Sequence, residues 1–224
     1  MIVGYEDDHL LVVWKPHGML TSGNDGNTLR RAVHLALGFG AATEDGGCAP
    51  EPCHRLDYGT SGWVIFGRNP GALAAMNQAF ADRRILKRYT ALVHGPAPKS
   101  LYFNLTLEGL ASRTQSTCIA RGRIAGAGDV SLMAVFPETG RTHQIRRHFS
   151  AVGHPIVGDD RFHREHPIYR GKGLFLCADG LAFRHPQTQN EVEVAALPSK
   201  KFMKIPFVHQ AGLEQRQSLS SHLT

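Results

Sequence analysis

Residues 54–62 read His-Arg-Leu-Asp-Tyr-Gly-Thr-Ser-Gly. Asp57 stands two residues after Arg55, and Gly59 and Gly62 let the backbone bend sharply around it. Thr60 and Ser61 are suited to satisfying backbone groups in such a turn. An ionised carboxylate held there can attack an electrophilic carbon or remove a proton. The same pattern also describes an Asx turn with a surface carboxylate. Tyr89 offers a flat apolar face and a hydroxyl for proton transfer, or it is simply a core tyrosine on a strand. Arg146 closes the run Gly140-Arg141-Thr142-His143-Gln144-Ile145-Arg146. Two groups look superficially like metal ligands: Cys48, Cys53 and His54, and Asp159-Asp160 with His163-Arg164-Glu165-His166. Neither has the partner spacing of a known site, so no metal is expected.

The elements that must position these residues are short strands with few helices. Ile2 and Val3, the turn Glu6–His9 and the apolar run Leu10–Trp14 read as a hairpin ended by Lys15-Pro16-His17-Gly18. Residues 38–53, rich in Gly, Ala and Pro, read as a loop that leads to Asp57. Trp63–Phe66 is a strand; Asn69 and Pro70 then cap and start a helix whose apolar face is Leu73, Met76 and Phe80, closed at Asp82–Arg84. Tyr89–Val93, residues 101–121 and Ser131–Phe136 follow as strands. A helix from Thr142 to Val152, capped by Gly153, places Ile145, Phe149 and Val152 inward and Arg146 at the edge of a cleft. The class is α+β, a mixed, mostly antiparallel sheet with flanking helices. Residues 1–210 are expected to form one catalytic domain and 211–224 a frayed polar tail.

The chain has 224 residues, with 25 Lys and Arg against 19 Asp and Glu. This basic excess permits a polyanionic partner without requiring one. Basic residues cluster at Arg83, Arg84, Lys87 and Arg88, at Arg121 and Arg123, at Arg161, Arg164, Arg170 and Lys172, and at Lys200, Lys201 and Lys204. The four cysteines, at 48, 53, 118 and 177, lack disulfide-framework spacing and suit a reducing cytoplasm. No signal peptide or membrane span is expected.

Residues 54–62 resemble the active-site signature of the RluA family of pseudouridine synthases, His-Arg-Leu-Asp, two variable residues, then Thr-Ser-Gly. Leu10–Gly18 resembles the family's leading strand and Lys-Pro turn, Lys87–Ala91 its tyrosine motif, Gly140–Arg146 its arginine motif, and Gly153–Asp159 a segment that follows. The similarity spans roughly residues 1–206. It implies the pseudouridine synthase catalytic fold and an RNA isomerase. Asp57 would start the reaction at the target ribose, Tyr89 would pack against the base, Arg146 would pair with Asp57, and Arg55 would replace the extruded nucleotide in the stack. His54, Lys15, Arg88, Arg141 and Arg147, from the same motifs, are expected at the RNA.

The implied reaction suits these residue types. It breaks the bond from ribose to uracil N1 and joins C5 instead, with no net gain or loss of atoms, so no cofactor is expected. A free Asp titrates near ~3.9. Burial in a base pocket raises a carboxyl by up to ~3–5 units, and a neighbouring guanidinium lowers it by ~1–3. The expected substrate is a stem-loop of tRNA or large-subunit ribosomal RNA, and the expected state a monomer. Ser22, Cys177 and the Leu101–Leu107 region depart from the family pattern, which bears on substrate more than on reaction. Two other classes are a non-catalytic RNA-binding module of the same fold and an N-glycosidic hydrolase. The first predicts a broken Asp57 motif; the second usually needs another carboxylate, for which Glu51 is the nearest in sequence.

Overall fold

The computed structural model describes residues 1–24, 26–39, 48–163, 166, 169 and 173–214, with side chains through 211. The chain divides into two compact units, Met1–Ile85 with Gly180–Ala195, and Leu86–Asp179 with Ala196–Thr224.

In the first unit, β1 (Val3–Glu6) and β2 (Leu10–Lys15) form the expected antiparallel hairpin. Its turn is set by Asp7, whose Oδ1 accepts from the backbone N–H groups of His9 and Leu10, both at 2.8 Å. β2 pairs along its whole length with β4 (Ser61–Gly67), from Leu10 opposite Gly67 to Lys15 opposite Gly62. Leu10–Val13 and Val64–Phe66 are fully buried. Strands covered on both faces carry no polar alternation, which is why both read as unbroken apolar runs.

Helix α2 (Pro70–Ala81) starts as expected: the Asn69 side chain accepts from Ala72 N–H at 2.9 Å, with Pro70 in the first turn. Its buried stripe is Ala72, Met76 and Ala79, while Leu73 and Phe80 are half-buried. Small residues face the sheet because the approach is close: a Cβ on Gly67 would lie 2.7 Å from the Leu73 backbone.

Two elements of this unit lie outside the expected ones. α1 (Leu29–Ala36) is capped by Thr28, which accepts from Arg31 N–H at 3.2 Å, and buries Leu29 and Val33 one turn apart. Within the expected 38–53 loop, β3 (Glu51–Pro52) pairs with β4; residues 40–47 of that loop lie outside the described residues.

In the second unit, β5 (Leu86–His94), β8 (Gly128–Pro137), β7 (Leu110–Ile124) and β6 (Ser100–Leu107) lie side by side, in that order, all antiparallel. Tyr89 on β5, Val135 on β8, Ser116 on β7 and Leu101 on β6 stand opposite one another, so they share one face. Phe103, two residues beyond Leu101, shares it too. Helix α3 (Gln144–Ala151) packs on that face, with the His148 and Phe149 rings 5.0 and 5.1 Å from Phe103. Tyr89 and α3 thus lie on the same side of this sheet.

α3 begins at Gln144, two residues later than expected, because His143 adopts a left-handed φ of 54° and leaves the helical path. It ends at Ala151, and Val152 is 44% exposed instead of facing inward. The next strand, β9 (Leu176–Arg184), runs from the second unit into the first at Asp179, and its Gly180–Arg184 portion pairs with β10 (Glu191–Ala195).

α4 (Lys200–Met203) and α5 (Pro206–Glu214) close the described chain. α5 carries Phe207 onto β7 at Gly122, where any Cβ would collide with the ring. Residues 211–214 of the expected tail are therefore helical, and 215–224 lie outside the described residues. The molecule has the expected class, α+β with a mixed, mostly antiparallel sheet and flanking helices. Among the described residues, no helix is long and apolar enough to cross a membrane.

Candidate active site

In the first unit, the Asp57 loop is held at three points. The Thr21 hydroxyl donates to the Leu56 carbonyl at 3.3 Å and accepts from the Leu56 N–H at 3.1 Å. Gly18 N–H donates to the Tyr58 carbonyl at 2.8 Å. The Lys15 ammonium donates to that carbonyl at 3.4 Å, and to the carbonyls of Met19 at 2.7 Å and Pro16 at 3.1 Å. Thr60 N–H closes the turn on the Asp57 carbonyl at 3.0 Å. The backbone on both sides of Asp57 is thus fixed, and its side chain is half-buried.

Thr60 and Ser61 do not play the expected part. Their hydroxyls are buried without a hydrogen-bond partner among the described residues, because Thr21, Gly18 and Lys15 already hold the loop. Arg55 is exposed, while Leu56 beside it is buried and acts as the anchor. His54 turns toward the protein: its Nε2 accepts from Ile65 N–H at 3.1 Å, and its ring lies 4.6 Å from that of Phe80. Lys15, expected at the RNA, is fully buried. An ammonium that already serves three backbone carbonyls has no proton left for a phosphate.

In the second unit, Arg146 projects from α3 and is 8% exposed, deeper than an edge position. Asp159 holds it bidentately, Oδ2 to Nε at 2.7 Å and Oδ1 to Nη2 at 2.8 Å. His143 Nδ1 lies 3.2 Å from Nη1, and the guanidinium stacks 5.1 Å from the centre of the Phe162 ring. Burial alone would raise the Asp159 carboxyl. The hydrogen bonds from Arg146 and from the backbone N–H groups of Phe162 and Arg161 outweigh it and hold the group below its ordinary value. Arg146 is therefore a pre-aimed cation rather than a flexible one.

Gln144 locks the turn before α3. Its Oε1 accepts from the Thr139 hydroxyl at 2.7 Å and Arg141 N–H at 3.0 Å, and its Nε2 donates to the Arg113 carbonyl at 2.9 Å.

Tyr89 is half-buried on β5. Its neighbour Arg88 was expected at the RNA, but its Nε donates to Asp179 at 3.1 Å and its side chain is largely buried. Asp179 is enclosed; burial raises its carboxyl despite Arg88 and the Thr90 hydroxyl. Arg88 thus neutralises an interior acid. Arg141 is half-buried, with Nε 3.4 Å from the Ala111 carbonyl, and Arg147 pairs with Glu108 at 2.7 Å.

Asp159, Thr21, Gln144 and Asp179 are the supporting residues that sequence reasoning missed. Asp159 was visible as the end of the Gly153–Asp159 segment and in a candidate metal cluster, but not as the partner of Arg146. Among the described residues, no group of three or more His, Cys, Asp or Glu side chains could hold a metal ion. Arg164, Glu165, Arg170 and Lys172 lie outside the described residues.

The first unit thus holds a half-buried carboxylate on an anchored loop, and the second holds a buried arginine fixed by Asp159 and a half-buried tyrosine. Comparison with known proteins identifies the class. The RNA pseudouridylate synthase family model matches residues 9–151, and the chain belongs to that family, isomerases that act on RNA. It is 33% identical over 211 residues to the dual-specificity RNA pseudouridine synthase RluA of Pasteurella multocida, covering 88% of this chain and 93% of that protein. It is 33% identical over 216 residues to the ribosomal large subunit pseudouridine synthase D of Zymomonas mobilis, covering 86% of this chain and 67% of that protein. Among solved structures, human RNA pseudouridylate synthase domain containing 1 superimposes with a TM-score of 0.73 at 25% identity, over 94% of this chain and 86% of that one.

Proposed function

We propose that this isomerase converts specific uridines to pseudouridine in a structured RNA, a stem-loop of tRNA or large-subunit ribosomal RNA, with Asp57 as the reacting carboxylate. The observation that carries the reading is the Asp57 loop: a half-buried carboxylate whose flanking backbone is pinned by Thr21, Gly18 and Lys15. Such anchoring holds a reacting group against a ribose without reorganisation at each turnover. The carboxylate either attacks C1′ or removes a sugar proton, and the N1–C1′ bond breaks. Uracil turns, and the C5–C1′ bond forms as the carboxylate leaves C1′ or returns the sugar proton; the C5 proton then leaves and N1 ends protonated. The balance needs no external reagent, and the protein acts without metal or cofactor.

Tyr89 supplies the flat face for the extruded base; such stacking is worth ~1–3 kcal/mol. Arg146 is assigned as the cation that pairs with Asp57 during the reaction. Arg55, exposed beside Asp57, enters the stack the uridine leaves and offsets part of an unstacking cost of a few kcal/mol. The names of the Pasteurella and Zymomonas relatives support RNA of more than one kind, ribosomal RNA among them. The protein works as a monomer in the cytoplasm.

The test maps pseudouridines in cellular RNA with the gene present, deleted, and restored as wild type or Asp57→Ala. The expected result is a site lost on deletion and regained only with the wild type. Restoration by Asp57→Ala overturns the assignment, and release of free uracil overturns the reaction.

A further inference from the structure

Lys15 ends β2 with its side chain wholly buried. Enclosing an ammonium costs several kcal/mol unless its protons and charge are both answered. The protons go to three backbone carbonyls, those of Met19, Pro16 and Tyr58. Only the protonated amine can serve all three at once, since a neutral amine has two N–H bonds. Two of the carbonyls belong to the turn after β2, which folds back over the loop at Gly18 with a φ of +75°. The third is the carbonyl of the residue that follows Asp57. None of the three acceptors carries a full charge, and the charge that opposes Lys15 is Asp57 itself.

We propose that Lys15 is a positioning residue for Asp57: its buried ammonium ties the turn after β2 to the peptide that follows Asp57 and holds a fixed positive charge against the catalytic loop. This rests on the reading of Asp57 as the reacting group. It reassigns a lysine that the sequence placed at the RNA to the interior of the catalytic loop. It also gives the first unit its own source of positive potential at Asp57, independent of Arg146.

The surroundings make the coupling specific. On β4, Lys15 stands opposite Gly62, flanked by Ser61 and Trp63, none of them charged. The turn contributes His17, and the loop contributes Arg55, Asp57 and Tyr58, of which His17, Arg55 and Tyr58 are exposed. Burial draws the Lys15 amine down to about 8, and the attraction of Asp57 works against that fall. Removing the Asp57 charge must therefore lower Lys15 further. Lys15 is thus protonated and supportive below about pH 8 and loses that role above it.

Lys15→Gln keeps two N–H donors and loses the charge; its RNA affinity, kcat and pH profile are compared with the wild type. The expected result is RNA affinity within about twofold and kcat lower by about an order of magnitude, the size of a positioning effect. The alkaline limb that the wild type shows near pH 8 disappears. A Lys15→Gln profile that superimposes on the wild type overturns the proposal.

Should that variant fail to fold, the titration of the Lys15 Cε resonance in wild type and Asp57→Asn decides. A fall of about one unit in Asp57→Asn supports the coupling, and an unchanged titration overturns it. Asp57→Asn also separates the two readings. Retained turnover sinks the role of Asp57 and this inference together. An inactive Asp57→Asn with an indifferent Lys15 sinks this inference alone.

Discussion

Arg146 and Asp159 are a buried pair, so each depends on the other for tolerance of its charge. Arg146→Ala removes the guanidinium and leaves Asp159 enclosed and uncompensated, which costs ~3–5 kcal/mol. Two effects are then mixed, lost chemistry and lost stability, and Asp159→Asn in the same chain separates them. We expect Arg146→Ala to lower turnover by about a hundredfold or more while RNA affinity falls far less, on the scale of a lost electrostatic group. The double variant should regain most of the lost Tm and none of the turnover. Equal losses of affinity and turnover in Arg146→Ala would refute the assignment. The pH dependence gives a second check. Asp159 lies below its ordinary value in the wild type, so its stabilisation is present above the unfolded pKa of ~3.9 and is lost as pH falls through the folded value. In Arg146→Ala the sign reverses, and acid relieves the orphaned carboxylate. Asp57, Tyr89 and Arg146 could be singled out as candidates because each sits in a contiguous motif. The sequence could not show Asp159 holding Arg146, since that partner is thirteen residues away and is brought back by the turn after α3. Nor could it show the burial of Lys15, because a lysine at a strand end ordinarily reaches water.

The segment after α3 is placed by its own backbone. Val157 N–H donates to the Leu92 carbonyl at 2.8 Å, and Phe175 N–H donates to the Val157 carbonyl at 2.9 Å. Gly158 then takes a φ of +77°, and a Cβ there would run into the Gly173 carbonyl oxygen. Gly109, at the tip of the β6–β7 hairpin, has nearly the same φ, +76°, with open space around it. The two positions separate backbone strain from collision. Gly109→Ala should destabilise by about 1 kcal/mol, the left-handed penalty alone. Gly158→Ala should cost well over twice that and lower turnover too, because Asp159 moves with it. Equal Tm losses in the two variants would show that Gly158 is not constrained by its neighbour. At this scale legibility followed the local signal. β2, β4 and α2 were clear from apolar runs and a Pro-primed cap. α1 had a Thr28 cap and an i, i+4 apolar pair, but its eight residues sit among polar ones. β9, β10 and α5 owe their form to packing, as Phe207 on Gly122 shows, and packing partners far apart in sequence leave no periodic mark.

For the whole molecule, the excess of 25 basic over 19 acidic residues suggests broad RNA attraction, but much of that charge is already engaged. Arg88 answers Asp179, Arg146 answers Asp159, Arg30 grips Glu51, and Arg147 grips Glu108, while Lys15 is enclosed. Basic clusters counted along the chain therefore overstate the charge that meets RNA. An arginine that leaves a carboxylate for a phosphate exchanges one anion for another and releases little net counterion. The net charge of +6 then bounds the phosphates neutralised at about six. At 0.7–0.9 per phosphate, the plot of log affinity against log salt should have a slope of about −4 to −5. Glu108 is exposed at the hairpin tip, and Glu108→Gln frees Arg147 without touching Asp57 or Arg146. It should tighten RNA binding at low salt and steepen the slope by about one. Filter binding or fluorescence anisotropy from 50 to 300 mM salt measures both. A wild-type slope near zero would deny an electrostatic footprint, and a slope beyond about −7 would mean that more phosphates are neutralised than the net charge accounts for.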